Sequence, residues 1–195
     1  MRRYPQPRLI SALLAGVLVL LALAVLRQTP TGRQGATSGT AVGTVTFVYD
    51  GDTVEVAGVG KVRLIGVDAL DAYNEERTLS QAGRYGLSVE QVRRWAGRAA
   101  EFARASLLGR GVRLWFGDEL YDAYGRTLAY VHVGGSADEG GAGGPGGDFN
   151  LVLLERGLAA AYRAFPHPRL EAYLRAEREA QAAGRGMWGD ARVRP

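Results

Sequence analysis

Three alternating, β-branched runs follow one another within residues 42–68 with only turn signals between them. Residues 42–49 read as a strand and Asp50-Gly51 as a turn. Residues 52–57 read as a second strand, Gly58-Val59-Gly60 as another turn, and residues 61–68 as a third strand. Strands this close in sequence make a meander. The first turn and its neighbours read Asp50-Gly51-Asp52-Thr53-Val54, and the third run reads Val62-Arg63-Leu64-Ile65-Gly66-Val67-Asp68. Two carboxylates and a guanidinium therefore fall on neighbouring strands of an otherwise apolar segment.

The rest of the chain continues the pattern. Residues 71–86 are polar and predict an irregular loop. Ser88 is a candidate cap for a helix that carries Val92, Trp95, Ala99, Phe102, Ala103 and Leu107 at helical spacing and ends at Gly109. Residues 112–116 and 126–133 predict two more strands joined by a loop over 118–125. Residues 150–156 predict a helix, and 168–183 predict another, with Leu170, Tyr173, Leu174, Glu177 and Ala180 on one face. The order β-β-β-α-β-β-α-α suits an α+β chain that is mainly β, a five-stranded OB-type barrel flanked by three helices. Residues 134–147 are nearly all glycine and small residues, which bury too little surface to order themselves and predict a flexible insertion.

Ahead of this domain, residues 1–8 are basic and residues 9–26 form an uncharged run of Leu, Ala and Val. This pattern predicts a signal peptide or membrane-anchor helix over 1–26, with the domain outside the membrane. Residues 27–41 read as a flexible linker, 42–190 as the folded domain and 191–195 as a tail. Five of the 24 basic residues lie in the first 41 positions, and none of the 20 acidic ones does. The remainder is thus slightly acidic, and bulk basicity does not mark it as a nucleic-acid binder. Polyanion recognition has to come from a local site. The chain has no cysteine, which excludes disulfides and thiolate metal centres.

Hard divalent cations take oxygen ligands, and a phosphodiester under attack needs a cation and an arginine beside it. The Asp52, Arg63 and Asp68 arrangement points to that chemistry. At this point the residues resemble the staphylococcal nuclease (thermonuclease) family over about residues 42–190. The resemblance rests on five motifs in order: Asp50 to Val54; Val62 to Asp68; Asp122-Ala123-Tyr124-Gly125-Arg126 with Leu128-Ala129-Tyr130-Val131; Asn150-Leu151-Val152 with Gly157-Leu158-Ala159; and Gly186-Met187-Trp188.

The resemblance implies an exported Ca2+-dependent nuclease, a monomer acting on DNA, with RNA as an open alternative and the membrane as a further partner if the leader is uncleaved. Asp52, Asp68 and the Ala69 carbonyl then hold Ca2+, Arg63 and Arg126 clamp the phosphate, and Tyr124 contacts a nucleotide phosphate. The family reads proline and glutamate after the third strand, where this chain has Leu70 and Asp71. Leu70 predicts a looser turn, because no ring fixes its φ. Asp71 is one methylene shorter than the glutamate that orients water, so Asp71, Glu75 and Glu76 are all candidate bases. A weakened or inactive nucleic-acid-binding barrel is the alternative reading. Tyr73, Arg77, Arg84 and Tyr85 form a candidate accessory nucleic-acid surface, or simply a solvated loop. His132 and His167 have no partner pattern, and Arg169, Arg175 and Arg178, interspersed with Glu171, Glu177 and Glu179, read as a solvated face.

Overall fold

The computed structural model describes residues 39–134 and 147–191. The leader over 1–26, most of the linker, nearly all of the glycine-rich insertion and most of the tail lie outside the described residues. Among the described residues, no helix is long and apolar enough to cross a membrane. The elements are β1 (Thr40–Val48), β2 (Thr53–Val56), β3 (Gly60–Leu64), β4 (Val67–Ala69), α1 (Glu75–Tyr85), α2 (Val89–Leu107), β5 (Gly111–Tyr121), β6 (Thr127–Val133), α3 (Phe149–Glu155), β7 (Ala159–Ala161) and α4 (Leu170–Ala182), followed by a 3-10 turn (Gly186–Gly189).

The meander forms as the sequence predicts, and the barrel closes in the order β1-β2-β3-β6-β5. Its β3–β6 seam is parallel, with Val62 opposite Thr127 and Leu64 opposite Ala129. Alternation sends Val45, Val54, Val62, Leu64, Leu114 and Val131 inward, where each is essentially inaccessible to water. α2 covers the barrel with Ala99, Ala103 and Leu107, all fully buried. Its start is fixed by a capping box, in which the Ser88 hydroxyl takes the Gln91 amide and the Gln91 side chain takes the Ser88 amide. The helix lies so close to the first hairpin that a Cβ on Gly51 would sit 2.7 Å from Ala99 Cβ. A bare glycine therefore lets α2 seat the turn that carries Asp50 and Asp52.

Four expectations about the elements are corrected. The third run does not continue as one strand to Asp68: Gly66 has φ +74°, and a side chain there would meet His167 at 2.5 Å. The chain turns at that point, leaves the barrel, and pairs β4 antiparallel with β7, with Asp68 opposite Ala160. Residues 71–86 are not an irregular loop. Asn74 caps α1 by accepting the Arg77 amide, Glu75 and Glu76 sit in the first turn, and Gly86 ends the helix in the left-handed conformation. The flanking helices among the described residues therefore number four. The barrel's fourth strand also runs on to Tyr121, through much of the segment predicted as loop.

Arg169 departs from the solvated-face reading. Its Nη1 donates to Asp148 Oδ2 at 2.6 Å, and Tyr173 Oη donates to the same oxygen at 2.7 Å. Glu177 is likewise buried, accepting from the Ala161 amide at 2.9 Å and pairing with Arg163. Buried acids of this kind persist only when every lone pair finds a donor.

Asn150 joins α3 to the barrel. It is fully buried, accepts from the Val131 amide at 3.1 Å, and donates to the Ile65 carbonyl at 2.9 Å and the Ala129 carbonyl at 3.3 Å. Asn150→Ala removes the side-chain partner of the Val131 amide and the Ile65 carbonyl in a dry interior, while the Ala129 carbonyl keeps the Ile65 amide at 3.0 Å. The substitution is expected to lower unfolding free energy by about 3 kcal/mol, read from urea denaturation with an unchanged m-value.

Candidate active site

The first hairpin positions the acids. The Asp52 amide donates to Asp50 Oδ1 at 2.9 Å, and the Tyr49 amide donates to the Thr53 carbonyl at 3.0 Å. Asp52 is thus turned inward at 2% exposure. Its Oδ2 accepts from the Ala69 amide at 2.6 Å, and its Oδ1 accepts from Thr53 Oγ1 at 3.1 Å. The β2–β3 register sets Arg63 opposite Thr53, which brings its guanidinium onto Asp52 Oδ1 as a close ion pair. The same guanidinium donates through Nη2 to the Val67 carbonyl at 3.0 Å and lies 3.4 Å from Asp68 Oδ1. Two buried carboxylates, one in the turn just before β2 and the other on β4, thereby share one cation.

Burial shifts two of the charges in this cluster, Arg63 and Asp50. It pushes Arg63 down to about 10, opposed by the negative charges of Asp68 and Asp50 and reinforced by Arg126 and Arg77. It raises the Asp50 carboxyl, with Arg63 opposing and Asp71 adding to the rise. Arg63 still carries its proton at neutral pH, and so holds the acids together.

The second wall comes from α1, which the sequence reading missed. Arg77 Nη2 makes a close ion pair with Asp68 Oδ1. Gln81, one turn further on, is buried; its Nε2 donates to the Ala69 carbonyl at 3.2 Å and its Oε1 accepts from the Asp71 amide at 2.8 Å. Thr78 Oγ1 donates to the Asp71 carbonyl at 2.7 Å. The turn through Leu70 and Asp71 is therefore not loose. α1 pins it by side-chain hydrogen bonds, and Leu70 itself is buried. Asp71 Oδ1 accepts from the amides of Tyr73 at 2.7 Å and Asn74 at 2.9 Å, while Oδ2 lies 3.7 Å from Arg77 Nε. The signal that was available is the Asn74-Glu75-Glu76-Arg77 cap, with Arg77 and Gln81 following at helical spacing on one face.

The third wall is the turn before β6. Asp122 Oδ2 accepts from Arg126 Nε at 2.6 Å, and Asp122 Oδ1 accepts from the amides of Tyr124 and Arg126 at 2.9 Å. Burial would raise the Asp122 carboxyl, but the Arg126 amide and guanidinium outweigh it and hold it below the usual carboxylate range. Among the described residues, the terminal nitrogens of Arg126 have no hydrogen-bond acceptor. Tyr124 is 85% exposed, with its ring centre 5.5 Å from the Arg126 guanidinium carbon.

These walls enclose a cavity of about 360 Å³ lined by Asp50, Asp52, Arg63, Asp71, Arg77 and Arg126 among others. Ala69 lies on its wall, and Asp68 joins the cluster through Arg63 and Arg77. Glu75 and Glu76 point away as exposed residues of the first turn of α1 and do not line it. Tyr124 lies outside it. The two histidines belong elsewhere: His132 Nε2 is 3.0 Å from Arg169 Nη1, and His167 Nδ1 is 3.0 Å from Tyr130 Oη.

A closed five-stranded barrel with flanking helices, bearing acids and arginines around one cavity at its edge, places the molecule among OB-type proteins with a charged catalytic or binding face. More narrowly, the chain belongs to the staphylococcal nuclease family: the family model for staphylococcal nuclease homologues matches residues 61–190. It is similar to the thermonuclease of Staphylococcus intermedius, 30% identical over 145 residues that cover 72% of each protein. It is also similar to the thermonuclease of Staphylococcus hyicus, 29% identical over 147 residues covering 73% of each. Endonuclease YhcR of Bacillus subtilis is 27% identical over 156 residues, 76% of this chain but 11% of that protein.

The hold of α1 on the turn is measurable. Gln81→Ala orphans the Asp71 amide and the Ala69 carbonyl and is expected to cost about 2 kcal/mol of stability. Hydrogen exchange at the Asp71 amide should speed up by more than at the amides of β2. Equal acceleration everywhere would mean that Gln81 supports only global stability.

Proposed function

We propose that this nuclease, a phosphodiester hydrolase by its family, is Ca2+-dependent and acts on DNA, with RNA as an alternative substrate. The observation that carries the reading is the sharing of Arg63 by two buried carboxylates, Asp52 and Asp68. A pair of acids that demands a cation between them, made only of hard oxygens, suits a hard divalent ion with the Ala69 carbonyl beside it. A calcium ion held by Asp52, Asp68 and the Ala69 carbonyl would supply Lewis-acid stabilisation to a phosphate oxygen. Arg77 and Gln81, which hold Asp68 and the Ala69 carbonyl here, compete for the same oxygens.

The chain's own groups divide the remaining work. Asp71 Oδ2, the oxygen not committed to backbone amides, accepts a proton from the attacking water. The new phosphorus–oxygen bond forms in line with the one that breaks, and the departing oxygen is protonated from solvent. Arg126, already aimed by Asp122, presents its terminal nitrogens to the equatorial phosphate oxygens. Arg63 would do the same if a divalent ion held the two acids in its place. Tyr124, exposed beside Arg126, is positioned to contact an adjoining phosphate. The export reading rests on the basic start and apolar run of residues 1–26, which would place a monomeric domain outside the membrane, either secreted or anchored.

Two measurements test this. With a chelator, hydrolysis of single-stranded DNA should stop, and it should return with millimolar calcium. Asp52→Ala and Asp71→Asn should each lower kcat by on the order of 100-fold or more, while Glu75→Ala leaves it unchanged. Calcium-independent binding of DNA without cleavage by the wild type would instead establish a binding module. Separately, Arg77→Ala frees Asp68 of a half-exposed competitor and is expected to tighten terbium binding several-fold, read by luminescence titration. Weakened terbium binding would mean that Arg77 shapes the ion site instead of competing with it.

A further inference from the structure

A second cavity, of about 880 Å³, opens on the other side of Asp68. It lies between the C-terminal half of α1, the segment after β7, and α4 with the 3-10 turn. We propose that it is a nucleotide subsite that receives the base and flanking phosphate of a single-stranded nucleotide adjoining the scissile diester. The proposal rests on the nuclease reading above and extends it, because nothing in that mechanism uses this space.

Position is the first argument. Asp68 forms part of this wall, while its Oδ1 is held by Arg63 and Arg77 from the catalytic cavity. A nucleic-acid strand with one phosphate at Arg63 therefore has its neighbouring nucleotide within reach of the larger cavity. The volume falls within the range of about 300–1,000 Å³ in which proteins enclose small ligands.

Chemistry is the second argument. Tyr85 meets Trp188 edge to face, with ring centres 5.7 Å apart, and the two make an aromatic corner on the wall. Tyr162 adds a third ring, at 36% exposure. Trp188 is buried and backs the corner, while the partly exposed rings of Tyr85 and Tyr162 are the faces on which a base can stack. Two arginines lie at the rim. Among the described residues Arg84 has no carboxylate partner, and Arg163 is held at one nitrogen by Glu177 while remaining 60% exposed. The Gln181 side-chain amide also lines the cavity and has no hydrogen-bond partner among the described residues, so it is free to meet a base edge. A paired base inside a duplex cannot enter a space walled by two helices, so the ligand is single-stranded or splayed.

Gly83 supplies the test. It lies on the cavity wall within α1, and a Cβ built there meets nothing within 4 Å, so a large side chain is accommodated at the cavity rim without a clash. The full chain, as wild type, Gly83→Ala and Gly83→Trp, is assayed with calcium on an eight-residue oligothymidylate and on bis(p-nitrophenyl) phosphate, which has no neighbouring nucleotide. Gly83→Trp is expected to raise KM for the oligonucleotide about tenfold while kcat/KM for the aryl diester stays within about twofold; Gly83→Ala should match the wild type on both. An unchanged oligonucleotide KM overturns the proposal, and so does an equal loss on both substrates, which would mean that α1 merely supports Asp68. Fluorescence anisotropy of the labelled oligonucleotide in chelator gives a readout independent of catalysis, with Gly83→Trp expected to weaken binding. If the wild type cleaves neither substrate, the nuclease reading fails, while the anisotropy comparison still decides the subsite.

Discussion

The site depends on one buried guanidinium. Arg63 sits between Asp52 and Asp68, each almost fully removed from water, and satisfies both acids and the Val67 carbonyl at once. Buried charges are tolerated only when paired and hydrogen-bonded, and breaking such a pair from one side costs about 3–5 kcal/mol. The arginine therefore holds together two carboxylates from different parts of the fold: Asp52 in the turn just before β2, Asp68 on β4 of a two-stranded outwork. Positive charge at that point is a structural requirement before it is a catalytic one. Whatever cation stands there, the fold needs one.

Around this centre the molecule uses local devices to fix each remaining group. Gly51 lets α2 press against the first hairpin, so the turn bearing Asp50 and Asp52 is held from behind. Asp122 aims Arg126 through two hydrogen bonds to it and a third to the Tyr124 amide, all within a single turn. α1 does the most varied work. Thr78 and Gln81 clamp the turn of Asp71, Arg77 holds Asp68, and the end of the same helix walls a second cavity. One helix thus joins the acid cluster to the space beyond it.

Much of the fold was legible because its causes are local. The alternating runs around Val45, Val54 and Val62 could bury their apolar faces only as a meander, and Ser88 announced α2 directly. The places where the reading went wrong have causes that are not local. Residues 71–86 are polar, and their mean character hides an amphipathic helix whose buried side is Thr78, Gln81 and Ala82, two of them polar. Helical burial there is driven by hydrogen bonds to a turn, a pattern that hydrophobic periodicity does not register. Arg169 and Glu177 looked like alternating surface charge, yet each pairs with a residue far away in sequence, Asp148 and the Ala161 amide. For the site, Asp52, Arg63, Asp71 and Arg126 were visible as residue types in motifs. That Asp50 and Arg77 share their cavity was not.

By itself the sequence determined the barrel strands, the long helix and the inventory: an alternating, turn-punctuated chain that must close on its own apolar face, carrying acids and arginines in its motifs. Tertiary structure decided the partnerships. Whether Leu70 leaves the Asp71 turn free depends on Gln81 reaching back from a helix ten residues on, and whether Asp68 stays in the barrel depends on Gly66 bending the chain toward Ala160. Charge pairing is set by distance in space, and the Coulomb and desolvation terms that govern it change several-fold with burial. Residue identity states which charges exist. Only the folded chain states which of them share a dry wall.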